Sequence, residues 1–277
     1  MSNFTKLMQQ AASGVGGGDF YPYTIDNSAR FNDDDAAYVL RVATTTPNQK
    51  TFTLSCWLKR CSLNTTQTIW KGNPASGGSY LYVIFNSTGT LQIQLNTGTV
   101  AYNYVTSMVF RDVSAWGHIN IRFDTTQASG ADRVRVEYNG VSVALSNGNV
   151  PQNTNLVWGD TGATAYGSYN IGSNGGVNTS GDYYLSQVAH INGQALDASY
   201  FGEDKNGVWV PKDLSGLTFG VEGFWLDFGN SAALGTDVSG NGNNFTSSGL
   251  TSSDQMTDTP THNNVCLLYT SPSPRDS

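Results

Sequence analysis

Charge and catalytic side chains are scarce in this chain. Only 13% of its 277 residues are Asp, Glu, Lys or Arg, and it has three His and three Cys. The 14 Lys and Arg are scattered and outnumbered by 21 Asp and Glu, so the formal net charge of −7 offers no basic stripe to displace counterions from a phosphate backbone. Nucleic acid is not an expected partner. No apolar run approaches the roughly 18 residues of a membrane span, and Met1–Gly18 lacks both the basic and the apolar region of a secretory signal. Neither membrane insertion nor export by a signal peptide is expected.

Carboxyl pairs suited to acid–base work are also missing. A retaining glycosidase needs two carboxyl groups about 5–5.5 Å apart. The three glutamates, Glu137, Glu203 and Glu222, have no carboxylate two or four residues away, and Glu203 and Asp204 as strand neighbours would point to opposite faces. His118 and His190 fall in alternating segments and His262 in the tail, where each is expected to be a surface or satisfied histidine, and no G-x-S-x-G elbow is present. The chain is expected not to be an enzyme. Cys56 and Cys61 would lie roughly 16 Å apart in strand conformation, so a disulfide would need a sharp bend. Both are expected to be thiols, with Cys56 in the core.

What the chain has in quantity is glycine, small polar residues and aromatics, with 31 Gly, 14 Tyr, 12 Phe and 6 Trp. That mixture suits a turn-rich sandwich. Period-2 alternation recurs: Phe52, Leu54, Cys56 and Leu58 oppose Thr53, Ser55, Trp57 and Lys59. Leu91, Ile93 and Leu95 alternate with Gln92, Gln94 and Asn96, whereas Tyr80–Phe85 is apolar at every position and is expected to be covered on both faces. Ile119, Ile121 and Phe123 oppose His118, Asn120 and Arg122. Val134, Val136 and Tyr138 lead through an Asn139-Gly140 turn to Val141, Val143 and Leu145, a hairpin. No segment of ten residues beyond the N-terminal turn sustains helical periodicity, so the fold class is all-β.

These segments together resemble a known family. The run Gly181–Asp197, a long strand with an Asn192-Gly193 turn and Leu196, followed by Phe201-Gly202-Glu203, is similar to the late strand of laminin-G-like and concanavalin A-like lectin/glucanase domains. With Phe31 to Leu40 and the alternating segments above, the resemblance covers about Ala29 to Glu203. It implies a two-sheet antiparallel jelly-roll sandwich, set at residues 19–212. Phe20–Asn32, and Phe201-Gly-Glu203 with Gly207–Lys212, resemble most closely the version found in structural proteins of marine tailed phages. That resemblance implies a module exposed on a virion, assembled in the host cytoplasm, whose partners are host-surface polysaccharide or another glycan and other virion proteins. The alternatives are a glycan hydrolase on the same fold and a purely structural spacer.

Three flanking segments complete the organisation. Residues 1–18, with a short Leu7–Ala12 helical turn and glycines 14 and 16–18, are expected to be a flexible attachment peptide. Residues 213–265, with Gly223–Phe228 and Asp237–Phe245, form either a β-rich extension or the start of a truncated second domain. Cys266–Asp276 resembles one reading frame of a transposase-type sequencing adapter, so residues 266–277 are expected to be an artefact and carry no function.

Two groups of residues are candidate sites. Trp70, Tyr102, Tyr104, Trp158 and Tyr166 lie near turn-rich sequence and could offer ring faces to a glycan, although Trp and Tyr also serve as core packing. Asp33, Asp34 and Asp35 concentrate three carboxylates in one loop, the candidate Ca²⁺ ligands, and Asp237 with Asn241 and Asn243 is a lesser one. Asp and Asn also cap turns by local hydrogen bonds. Calcium ligation by Asp33–Asp35 predicts stabilisation of about 2.7 kcal/mol at a hundredfold excess over Kd. A melting temperature that does not change between chelator and millimolar calcium assigns the run to a solvated turn.

Overall fold

A computed structural model describes residues 20–73, 79–146, 148–156, 167–173 and 180–262. In chain order its strands are β1 (Ser28–Phe31), β2 (Tyr38–Val42), β3 (Thr51–Arg60), β4 (Gln67–Asn73), β5 (Tyr80–Phe85), β6 (Thr90–Asn96), β7 (Ala101–Val109), β8 (Gly117–Asp124) and β9 (Val134–Tyr138). They continue as β10 (Val141–Val143), β11 (Leu145–Ser146), β12 (Ser168–Ile171), β13 (Tyr183–Asn192), β14 (Gly202–Lys205), β15 (Val208–Pro211), β16 (Phe224–Leu226), β17 (Thr246–Ser248) and β18 (Gln255–Met256). The first sheet runs β10-β9-β8-β3-β13-β1-β18, with β16 also paired to β13, and the second runs β11-β7-β6-β5-β4-β12-β2-β17. All pairs are antiparallel. The fold is all-β, as the alternation predicts, and its two large antiparallel sheets form the sandwich that the resemblance implies.

The inward residues of the alternating strands make the core. Phe52, Leu54, Cys56 and Leu58 of β3 meet Trp70, Leu81, Val83, Phe85, Ile93 and Ile171 of the second sheet in one buried cluster. The outward face of the first sheet is covered as well. Trp57 packs with Ile25 and Trp116, and Ala189 and Ile191 pack under Phe201, Leu214, Phe219 and Trp225. β13 serves both layers because its register shifts between Ser186 and Ala189, with Gln187 at φ 45°. The extra residue flips side-chain parity, so Leu185 and then Val188 and His190 face the interior. The hairpin at β9–β10 has Asn139 at φ 48° and Gly140 at φ 76°, as a type I′ turn requires.

Among the described residues no segment packs over Tyr80 and Tyr82 on the outward face of the second sheet, and this corrects the expectation for Tyr80–Phe85. Leu81, Val83 and Phe85 are in the core and Ile84 is buried, but Tyr80 and Tyr82 stand partly exposed on the outer side. A tyrosine row reads as apolar in the sequence because its ring is apolar, while its hydroxyl suits a half-wet face.

Residues 213–262 add strands to both sheets. β16 joins β13, β17 joins β2 and β18 joins β1. The segment is pinned by a buried ion pair, Arg41 Nη1 to Glu222 Oε2 at 2.5 Å, whose side chains are 5% and 0% exposed. Glu222 Oε1 accepts from the backbone N–H and hydroxyl of both Thr44 and Thr45. Arg41 Nη2 donates to Asn243 Oδ1 at 2.5 Å, and Asn243 Nδ2 donates to the carbonyls of Val221 and Gly223. At the far end Asp258 accepts from Lys59 and from Trp116 Nε1. The Thr259 and Thr261 hydroxyls both donate to the Ile25 carbonyl.

Removing one member of a buried pair leaves the other charge uncompensated, at a cost of about 3–5 kcal/mol. Glu222→Gln is expected to lose that much in urea unfolding. Glu203→Gln, in an exposed pair with Lys212 at 3.7 Å, should change stability by no more than about 0.5 kcal/mol. Equal, small effects from both would show that the pair does not hold the C-terminal strands.

Candidate functional site

The open face is built by strand register. Across it run Asn103 of β7, Gln94 of β6, Tyr82 of β5, Lys71 of β4, Asn170 of β12 and Leu40 of β2, each opposite the next. A second row holds Ala101, Asn96 and Tyr80. Tyr80 and Tyr82 stack with ring centroids 4.4 Å apart and planes at 17°, and Lys71 Nζ lies 5.6 Å from the Tyr82 centroid. Burial lowers the Lys71 pKa, and its amine lies over one face of the Tyr82 ring. Asn96 Oδ1 is taken by the Gly98 N–H. The side chains of Gln92, Gln94, Asn103 and Asn170 face outward beside the tyrosines with donors and acceptors to offer. The stack turns the inner faces of the two rings to each other, so the pair presents ring edges and the outer face of Tyr80 beside the amides, a mixture that suits a ligand with alternating C–H and O–H groups.

The three aromatic candidates among the described residues do not form a platform on the outward face of the second sheet. Trp70 has no exposed surface and belongs to the core cluster. Its strand has a register shift between Thr68 and Trp70 that turns it inward. Tyr104 is 3% exposed, with its hydroxyl accepting from the Val150 N–H, and Tyr102 is partly buried against the core. Both face inward because they lie opposite Ile93 and Leu95. Neither they nor Trp70 can present a ring face to a ligand on the open sheet. Trp158 and Tyr166 lie outside the described residues. The sequence reasoning missed Tyr80 and Tyr82, whose signal was available: they sit two apart in a strand adjoining the wet row Gln92, Gln94, Asn96.

No strand of the second sheet contains Asp or Glu. Glu137 lies in the first sheet, where it accepts from Asn120, Arg122 and the Ala198 N–H, and Glu222 is saturated as described. Burial raises the Glu222 pKa, but the hydrogen bonds from Arg41 and Thr45 outweigh it and hold the group below its ordinary range. His118 and His190 are fully buried, which pushes each pKa down to about 3. His118 Nε2 meets Ser55 Oγ at 2.8 Å, and His190 Nδ1 lies 3.2 Å from the Glu222 carbonyl. Neither histidine faces the open sheet.

The acidic run forms a turn. Asn32 Nδ2 donates to Asp35 Oδ2 at 2.8 Å, the Ala36 N–H donates to the Asp33 carbonyl, and Ala36 has φ 49°. Asp237, the other oxygen-rich candidate, accepts from the N–H groups of Trp225, Ser239 and Asn243 and from the Ser239 hydroxyl. Its carboxylate thus shapes the loop. Among the described residues no group of three or more His, Cys, Asp or Glu is arranged to hold a metal ion.

A family model described as the concanavalin A-like lectin/glucanases superfamily matches residues 32–190. Among solved structures, a Bacteroides ovatus protein assigned to carbohydrate binding is similar over 86% of this chain, at 16% identity and TM-score 0.53. This chain covers 62% of that protein's length. A heptameric SAP-like pentraxin from Limulus polyphemus aligns with 62% of this chain and 78% of its own at 19% identity and TM-score 0.44. Mouse laminin alpha1 domains LG4-5 align with 64% of this chain and 44% of their own at 11% identity and TM-score 0.45. No curated protein matches the sequence.

The two buried histidines set a pH dependence. Each has a folded pKa far below its unfolded value near 6.5, so the unfolded state binds more protons between about pH 3 and 6.5, and stability falls with acidification through that window. From pH 8 to pH 5 the pair is expected to remove about 4 kcal/mol, and His118→Gln should roughly halve that loss. Unfolding free energies that stay flat from pH 8 to 5 would show that the histidines are not held neutral.

Proposed function

The chain belongs to the concanavalin A-like lectin/glucanases superfamily, and on that premise we propose that it is a non-enzymatic module that binds polysaccharide on the open face of its second sheet. The carrying observation is the stacked Tyr80–Tyr82 pair among Lys71, Gln94, Asn103 and Asn170. Sugar rings offer C–H faces to aromatic rings and hydroxyls to amides, and both are present here on a rigid sheet. A hydrolase would need a pair of carboxyl groups beside the bound ring, and the strands of this sheet supply none. The Bacteroides ovatus protein assigned to carbohydrate binding shares this fold, which is consistent with a saccharide ligand.

The setting of the module rests on its flanking motifs. The resemblance of Phe20–Asn32 and Gly207–Lys212 to phage structural proteins supports a place on the virion surface, facing host polysaccharide and joined to other virion proteins. Both motifs are structural in this chain. Ile25 is clasped by Thr259 and Thr261, and Trp209 packs with Ile25, Trp57 and Trp116.

Incubation of the protein with a panel of marine polysaccharides tests the reading. Retention without shortening of the polymer is expected, and Tyr82→Ala should weaken it at least about tenfold, equivalent to 1.4 kcal/mol. Shortened chains would make the protein a hydrolase. Failure to retain any polysaccharide, or unchanged retention by Tyr82→Ala, would remove the open face from the function.

A further inference from the structure

At one end of the sandwich, away from the open face, the two sheets enclose a cavity of about 220 Å³. Leu58, Arg60, Ile119 and Tyr138 line it from the first sheet, and Phe85 and Phe110 from the second sheet and the loop after it. Arg60 ends β3 and is 2% exposed. Its Nη1 donates to the Phe110 carbonyl at 2.8 Å, its Nη2 reaches Gln67 Oε1 at 3.5 Å, and its guanidinium carbon lies 4.4 Å from the Phe85 ring centroid. Its Nε–H meets no acceptor, and no carboxylate pairs with it among the described residues.

The other buried arginines are differently placed. Arg41 has Glu222, and Arg133 donates from Nε and both Nη atoms to three carbonyls. Burial lowers the Arg60 pKa, yet a guanidinium keeps its charge in proteins. A buried, incompletely bonded charge is costly to maintain. Here it sits beside unfilled space. Arg111 and Asp112 also line the cavity, and the Asp112 carboxylate is turned to the N–H and hydroxyl of Ser114. The lining therefore carries two positive charges against one negative.

We propose that this cavity is an oxyanion-binding site that takes the carboxylate of an acidic sugar, with the charge on Arg60 and the ring against Phe85, Phe110 and Tyr138. A carboxylate in the cavity would supply the counter-charge that Arg60 lacks. The aromatic walls favour an organic acid over a bare inorganic ion, because a small ion would leave them uncovered. The site is independent of the open face and does not rest on its role.

Thermal unfolding at constant ionic strength tests it, with sodium glucuronate, sodium sulfate and glucose each compared against sodium chloride. Glucuronate at ten times its Kd is expected to raise the melting temperature by about 3 °C, and glucose to leave it unchanged. Arg60→Gln should abolish the shift. Because that variant removes bonds of the folded state, Ala115→Phe provides a second arm: Ala115 is exposed and lines the cavity, so the larger ring blocks entry without touching Arg60. Tyr82→Ala should retain the glucuronate shift, which separates this site from the open face. The proposal is overturned if glucuronate gives no shift, if glucose matches it, if sulfate acts and glucuronate does not, or if the shift survives Ala115→Phe.

Discussion

Glu222 has no exposed side-chain surface and accepts hydrogen bonds from Arg41, Thr44 and Thr45, and the attachment of the whole C-terminal segment turns on that cluster. Taking a carboxylate and a guanidinium out of water costs several kcal/mol per ion, recovered only when the remaining lone pairs and protons are satisfied. The chain satisfies them by bringing a second loop to the same place. Asn243 accepts from Arg41 and donates to the carbonyls that flank Glu222, and Asp237 holds Asn243 through its backbone N–H. Asp237 also accepts from the Trp225 N–H, so the geometry that buries Glu222 fixes β16 against β13. The Asp237–Asn243 loop is polar because it completes a buried network.

That network lets the two sheets serve different ends. With the C-terminal segment fixed, Leu214, Phe219 and Trp225 roof the outer face of the first sheet. Its polar strand residues then become internal bonds: Ser55 to His118, Asn120 to Glu137, Thr53 to the Gln194 carbonyl. Among the described residues the second sheet receives no such roof over Tyr82, Gln94 and Asn103, so these outer side chains are not drawn into internal bonds of that kind. One face carries stability and the other is free to carry binding.

The sequence showed the inward half of this plan clearly. Alternation identified Phe52–Leu58, Leu91–Leu95 and Ile119–Phe123 because a strand repeats every two residues whatever it packs against. It was poorer at the second layer, since Thr53 and Ser55 look like a wet face and become dry only when a segment some 160 residues later lies over them. The Gln187 bulge was equally hidden: a run that alternates Tyr183, Leu185 and then Val188, His190 reveals a parity change only when its partner strand is known. Aromatic candidates chosen by nearness to turns failed for the same reason. Trp70 and Tyr104 are set inward by register, which turn-rich neighbours do not report.

Edge protection follows from the same division of labour. An open sheet risks pairing with another sheet at its edges, and long flat edges are the danger. Among the described residues the edges are β10, β16 and β18 in the first sheet and β11 and β17 in the second, each two or three residues long. The β17 edge is polar throughout, Thr246–Ser248, and β11 and β18 each carry one polar residue, Ser146 and Gln255, while β10 exposes Val141. The interior strands that carry Tyr82, Gln94 and Asn170 are flanked on both sides and have no free backbone to offer. Any recognition on this face would therefore have to come from side chains and not from backbone groups.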